Sequence, residues 1–259
     1  VAAWLALLGT VVGAYGTMIG AGGGFVLMPL LLFLYPAENP AVLTSLSLAV
    51  VALNALSGVT AYGWQRRIDY RLAMLVAAGS VPASMAGAAL TRFIVRGVFE
   101  IAFGCVLLAL ALVLVLRPAG TPPTPTTSTT VTPPPVYARV PLGLVLIAVV
   151  GLAAGMLGIG GAPPQVIVLT HVMQVPITRA MPTVQLVVLA SALGGVAVHA
   201  AGGHFGPSPM LLVLLGAGAI VGAQAGAVLA TRLSSANLMR LLATALFLVG
   251  GSLVAKSLG

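Results

Sequence analysis

Residues 18–33 read MIGAGGGFVLMPLLLF, and residues 155–170 read GMLGIGGAPPQVIVLT. Each stretch sets a cluster of glycines directly before a short apolar run that contains proline. Glycine weakens a helix by about 1 kcal/mol per residue, so both clusters interrupt the helices that their apolar surroundings favour. What such a break is for, and why it occurs twice, decides the fold.

The surroundings are those of a membrane. The chain is 60% hydrophobic and 5% charged, with a mean hydropathy of +1.17. A soluble domain carries roughly 25% charged residues, so this surface is expected to face lipid. Apolar runs cover about 2–19, 25–35, 41–62, 72–91, 98–116, 140–157, 163–174, 180–201, 209–230 and 238–256. Eight of them approach the ~20 residues needed to cross ~30 Å of hydrocarbon. The runs 25–35 and 163–174 are too short to cross, and they are the two that follow the glycines. Alternating strands are absent, which argues against a barrel. The helices are apolar on nearly every face, as in a lipid-bathed bundle. Cys105 is the only cysteine, so no disulfide framework or cysteine metal site is expected. The net charge of +8 comes from arginines scattered between apolar runs. That pattern sets membrane orientation rather than nucleic-acid binding.

Residues 117–139 form the only polar low-complexity stretch, rich in proline and threonine. Such a segment cannot build a core and is expected to be an exposed linker. It separates a first transmembrane repeat, 1–116, from a second, 140–259. The halves resemble each other at a fixed offset. Gly79, Ala83 and Gly87 return as Gly218, Gly222 and Gly226, and Gly20, Gly22 and Gly23 as Gly158, Gly160 and Gly161. AVLTS at 41–45 matches AMPTV at 180–184. This is the mark of internal duplication.

Charge decides how the halves point. If the first run and the short run of each half enter and leave on one side, the halves are inverted. Arg66, Arg67, Arg71, Arg117, Arg139, Arg179, Arg232 and Arg240 then share one face, opposite Arg92, Arg96 and Lys256. If each pair instead makes one broken crossing, the halves are parallel and positive charge is spread over both faces. Positive loops stay cytoplasmic, so the inverted arrangement is expected. The expected fold is an all-α integral membrane protein of two inverted repeats. Each repeat has four spanning helices and a short glycine-opened re-entrant half-helix. The protein is expected in the cytoplasmic (inner) membrane, with the central linker on the cytoplasmic side and both termini external.

Non-helical backbone at membrane depth is tolerated where protein or a water-filled cavity surrounds it. Half-helices in transporters point free N–H groups and positive dipole ends at an anion near the midplane. Gly22, Gly23, Gly24, Gly160 and Gly161 suit that use, because bare backbone approaches a ligand closely. Gly9/Gly13, Gly16/Gly20, Gly151/Gly155 and the 218–222–226 ladder have the spacing of helix packing instead. Among polar residues inside the runs, Thr44, Ser45, Asn54, Gln165, Thr183 and Gln185 are candidate ligand contacts, and Gln224 is read as packing. His171 is a candidate for proton coupling. Glu38, Asp69 and Glu100 fall at loops or helix starts, so no carboxylate relay crosses the membrane.

The duplicated G-x-G-G-G, the apolar run with proline and the A-x-x-T-S that follows resemble the sulfite exporter TauE/SafE family over nearly the whole chain outside the linker. The second half departs from the pattern, with Gly160-Gly161-Ala162-Pro163-Pro164 and Thr183-Val184. The resemblance implies a transporter that exports a small sulfur-containing anion such as sulfite, thiosulfate or an organosulfonate. Its partners are that anion and the lipid bilayer, with no nucleic acid, no cofactor and no resident metal. Two alternatives compete with it. A divalent metal cation carrier would use His171, His199, His204 and methionines, which are spread along the chain rather than clustered. An intramembrane enzyme would rest on NALSG at 54–58 with His199 as base, although Ala55 stands where a glycine is expected.

Overall fold

The computed structural model describes residues 2–19, 22–64, 66–116, 140–203 and 209–230, with 244, 247–253 and 255. The linker at 117–139, Gly20, His204, Lys256 and the arginines at 117, 139, 232 and 240 lie outside the described residues, as does much of the last apolar run. The described helices are α1 (Ala2–Ile19), α2 (Gly24–Leu34), α3 (Pro40–Trp64), α4 (Tyr70–Thr91) and α5 (Arg96–Leu116) in the first half. The second half has α6 (Val140–Leu157), α7 (Ala162–Ile167), α8 (Ile177–Ala201) and α9 (Pro209–Ala230). No strand occurs among the described residues. The expected all-α class holds, and α3, α4, α6 and 179–201 of α8 are each long and apolar enough to span a bilayer.

Helix boundaries follow local chemistry. Asp69 caps α4, its Oδ1 accepting from the Leu72 N–H at 3.1 Å. Asn39 Oδ1 likewise accepts from Ala41 N–H at the start of α3. The C-terminal carbonyls of α2 have no helical partners of their own, and Arg96 supplies them. Its Nη2 donates to Leu32 O at 2.7 Å, and its Nη1 donates to Tyr35 O and Glu38 O. Glu100, buried, holds the other edge of the guanidinium at 2.8 Å. The expected short run 163–174 is less regular. α7 lasts six residues and opens into a π-helical turn, Val168–Val172. There Thr170 Oγ1 donates to Val166 O and Ile167 O, drawing off carbonyls that would close α-helical bonds.

Packing is reciprocal between the halves: α1 lies on α9, α4 on α6, and α3 on α8. Small residues permit the close approaches. A side chain at Gly9, Gly13, Gly218, Gly222 or Gly226 would collide with backbone across the α1–α9 seam, and one at Gly87, Gly151 or Gly155 with backbone across α4–α6. Gly16 differs from its expectation, because it abuts Gly23 at the first glycine break rather than a neighbouring spanning helix. Directions can be read from the same contacts. α1 and α9 run parallel, as do α4 and α6. Along α3 and α8 the meetings are Gly58 with Gln185 and Leu48 with Gly195, so these two run antiparallel. Helix α3 is the axis: 78% of its membrane window is buried, against 33% in α4 and α6.

Candidate functional site

The two glycine breaks meet at the centre of the bundle. Gly22, Gly23, Gly158, Gly160 and Gly161 all have φ between +71° and +76°, a region that side chains disfavour. Gly24 faces the carbonyl of Gly158 and the backbone of Ile159 so closely that an added Cβ would lie 2.9 Å from both. Gly22 and Gly160 each face Val51 of α3 and Val188 of α8. The breaks are therefore back to back, with one valine from each half beside them.

Helix α3 carries polar groups past this junction. Thr44, Ser47, Val51 and Asn54 are spaced by three, four and three residues, which puts them on one face over about 15 Å of helix. All four are buried. Thr44 packs on Gly158, and Ser47 Oγ donates to Gly158 O at 2.6 Å. Asn54 Oδ1 accepts from Thr17 Oγ1 at 2.8 Å, while its Nδ2 lies near Gly23. From the second half Gln165 reaches the Gly161 break, with Nε2 donating to Ser80 Oγ at 2.8 Å. Ser80 and Ser191 share a hydroxyl bond of 3.0 Å, and Ser84 donates to Ser191 O.

Three buried polar atoms beside the breaks have no partner among the described residues: Thr44 Oγ1, Asn54 Nδ2 and Gln165 Oε1. Leaving such an atom unpaired costs about 1–3 kcal/mol. Asn54 already presents a donor and Thr44 a hydroxyl. Turning the Gln165 amide over lets Ser80 donate to Oε1 and presents Nε2–H instead. Asn54 and the first N–H groups of α2 stand at the first break and Thr44 and Gln165 at the second, with Thr44 and Asn54 about 15 Å apart along α3.

The remaining expected contacts lie elsewhere. Ser45 turns its hydroxyl back to Val42 O in its own helix. Thr183 accepts from the Asp69 N–H at 3.3 Å, at the loop between α3 and α4. Gln185 packs against Gly58. His171 is exposed, its Nδ1 3.0 Å from Thr170 Oγ1, and away from the breaks. No motif in the sequence marks Ser47, Ser80, Ser84 or Ser191. The signal for them is their helical spacing, with Ser47 three residues after Thr44 and Ser84 four after Ser80. Ser57, the expected nucleophile of the enzyme alternative, accepts from Gln224 Nε2, whereas His199 lines a cavity of about 70 Å³ with Arg92. Among the described residues no three His, Cys, Asp or Glu side chains converge as a metal-holding group.

A bundle of apolar helices with broken helices meeting at its centre is the architecture of a multi-pass membrane transporter, and the comparisons agree. The chain belongs to the sulfite exporter TauE/SafE family, whose model matches residues 5–253. It is 26% identical over 264 residues to a Bacillus subtilis (strain 168) protein named "Probable membrane transporter protein YunE", covering 96% of each chain. No solved structure matches it. The protein is thus a membrane transporter, not an enzyme.

Proposed function

We propose that this transporter exports a small sulfur-containing anion, such as sulfite, thiosulfate or an organosulfonate, across the cytoplasmic (inner) membrane. Transport proceeds by alternating access around the junction of the glycine breaks. The observation that carries the reading is that junction itself, flanked by the unpartnered Thr44, Asn54 and Gln165 atoms. Neutral donors hold an anion without a fixed counter-charge that would retain it too tightly. The name of the family supplies the sulfur chemistry. On this reading Gly22, Gly23, Gly24, Gly160 and Gly161 line the site, and Thr183 and Gln185 lie along the approach from the arginine-bearing end. His171 is the candidate for proton exchange at that end.

Two features support inverted repeats with re-entrant half-helices. α3 and α8 run antiparallel, where parallel halves would align them. Arg179 also shares a recess with Arg66, Arg67 and Arg71, where parallel halves would put it on the opposite face. With positive charge inside, the linker is cytoplasmic and both termini are external.

The test is transport by the purified full chain in proteoliposomes. Sulfite is expected to raise the melting temperature, and labelled sulfite uptake to be competed by thiosulfate or a sulfonate but not by cobalt or nickel. Competition by the metals alone would reverse the reading to a cation carrier.

A further inference from the structure

Among the described residues, four of the arginines come together in a recess of about 440 Å³ lined by Arg66, Arg67, Asp69, Arg71 and Arg179. Four guanidinium groups face one carboxylate, and that carboxylate is committed to capping α4 through Leu72 N–H. Among the described residues the only ion pair is Arg96–Glu100, at the far end of α2. The four arginines are exposed, and no hydrogen bond of theirs to another described side chain is present. Membrane orientation requires positive charge near this face, but it does not require convergence. Here residues 66–71 and 179, more than a hundred positions apart, are drawn together, and the Asp69 N–H to Thr183 Oγ1 bond ties the two segments at the recess. Arg179, which lines the recess, sits nine residues before Val188, so the recess lies about 13.5 Å along α8 from the glycine junction.

We infer that this recess is a capture site for a free, compact oxyanion, which it concentrates and passes towards the junction. Arginine suits the task, because its planar fork meets two oxygens of an oxyanion at once. A cleft lined by one sign of charge also raises local substrate concentration and on-rates by roughly 10–10³. A volume of about 440 Å³ leaves room for an ion that keeps part of its hydration shell, as a site of capture rather than of tight retention demands. The inference rests on the anion-transport reading but is measured apart from it.

The direct test is protection of the arginines from an arginine-specific dicarbonyl reagent, read by mass spectrometry on the full chain in nanodiscs of zwitterionic lipid. Inorganic sulfate should protect Arg67 and Arg179 more than chloride at equal ionic strength. Arg92→Gln, which removes the same charge from the other end, should leave that protection intact. In proteoliposomes Arg67→Gln with Arg179→Gln should lower kcat/KM for sulfite about ten-fold at low salt with kcat unchanged. The difference should shrink at 0.15 M salt, where the Debye length is about 8 Å. Protection by anionic lipid headgroups but not by sulfate would overturn the inference, as would no protection above chloride. Sulfite transport that proceeds with unprotected arginines would sink the recess alone. Sulfate protection in a protein that carries only cations would sink the transport reading alone.

Discussion

Gln165 is the residue on which the site reading turns. It is fully buried, bonded on one side to Ser80 and without a partner among the described residues on the other. If it were only interhelical glue, Gln165→Leu would remove one hydrogen bond, worth about 0.5–1.5 kcal/mol. It would also relieve an unpaired carbonyl, so stability would change little, and ligand binding would not change at all. If it contacts the anion, a charge-assisted bond of about 1.5–3 kcal/mol disappears, and 1.4 kcal/mol is about ten-fold in affinity. The expected outcome is a near-parental melting temperature without ligand and sulfite affinity weaker by roughly ten-fold. Val145→Ala, on a face exposed to lipid, is the control. A folded Gln165→Leu protein that binds sulfite as tightly as the parent would remove this residue from the site.

At the scale of elements, the half-helices are unequal partners. α2 begins Gly24–Phe25, whose N–H groups precede its first helical bond, from Val26 N–H to Gly23 O, whereas α7 begins Ala162–Pro163–Pro164, and proline has no N–H to give. On the proposed reading, backbone recognition is therefore expected from the first half, and side-chain recognition from Gln165 in the second together with Thr44 and Asn54 of α3. Gly24 has a further duty, since it lets α2 touch the second break. A Cβ there would stand 2.7 Å from Val51 Cγ2 and 2.9 Å from Gly158 O. Gly24→Ala should lose about 1–3 kcal/mol by overpacking and slow transport. Gly79→Ala, with 3.5 Å of room to Leu144 O, should hold or raise the melting temperature. Equal melting temperatures for the two variants would show that the breaks do not need their contact. Part of this level was legible in the sequence: i,i+4 glycines marked packing faces on α1, α6 and α9, though not which helices they meet, and consecutive glycines marked the breaks. The pointing of Ser45 and Ser47, the serine seam of α4 and α8, and the π turn after α7 were not. Helices apolar on nearly every face carry almost no moment to say which side is inner, so the direction of a small hydroxyl is settled by neighbours from distant sequence.

At the scale of the whole molecule, the question is which way the halves face. Hydropathy alone gives the same runs for parallel and inverted repeats, and the arginine tally separates them only by where charge accumulates. The structure adds two independent relations: the antiparallel course of α3 and α8, and Arg179 in one recess with Arg66, Arg67 and Arg71. Arg96, bound to the C-terminal carbonyls of α2, marks the other end of the bundle. Lysine and arginine in short loops set orientation by resisting translocation, so the four-arginine end should be cytoplasmic and the Arg96 end external. On that reading the linker at 117–139 is expected inside and 202–208 outside. Single cysteines replacing Ser128 and Ser208, in a background with Cys105→Ala, give the measurement. On intact cells an impermeant thiol reagent should label the position-208 variant and leave the position-128 variant unlabelled until the membrane is opened. Parallel halves place both positions on the same side of the membrane, so equal labelling of the two variants would overturn the inverted topology and, with it, alternating access through exchange of the two halves.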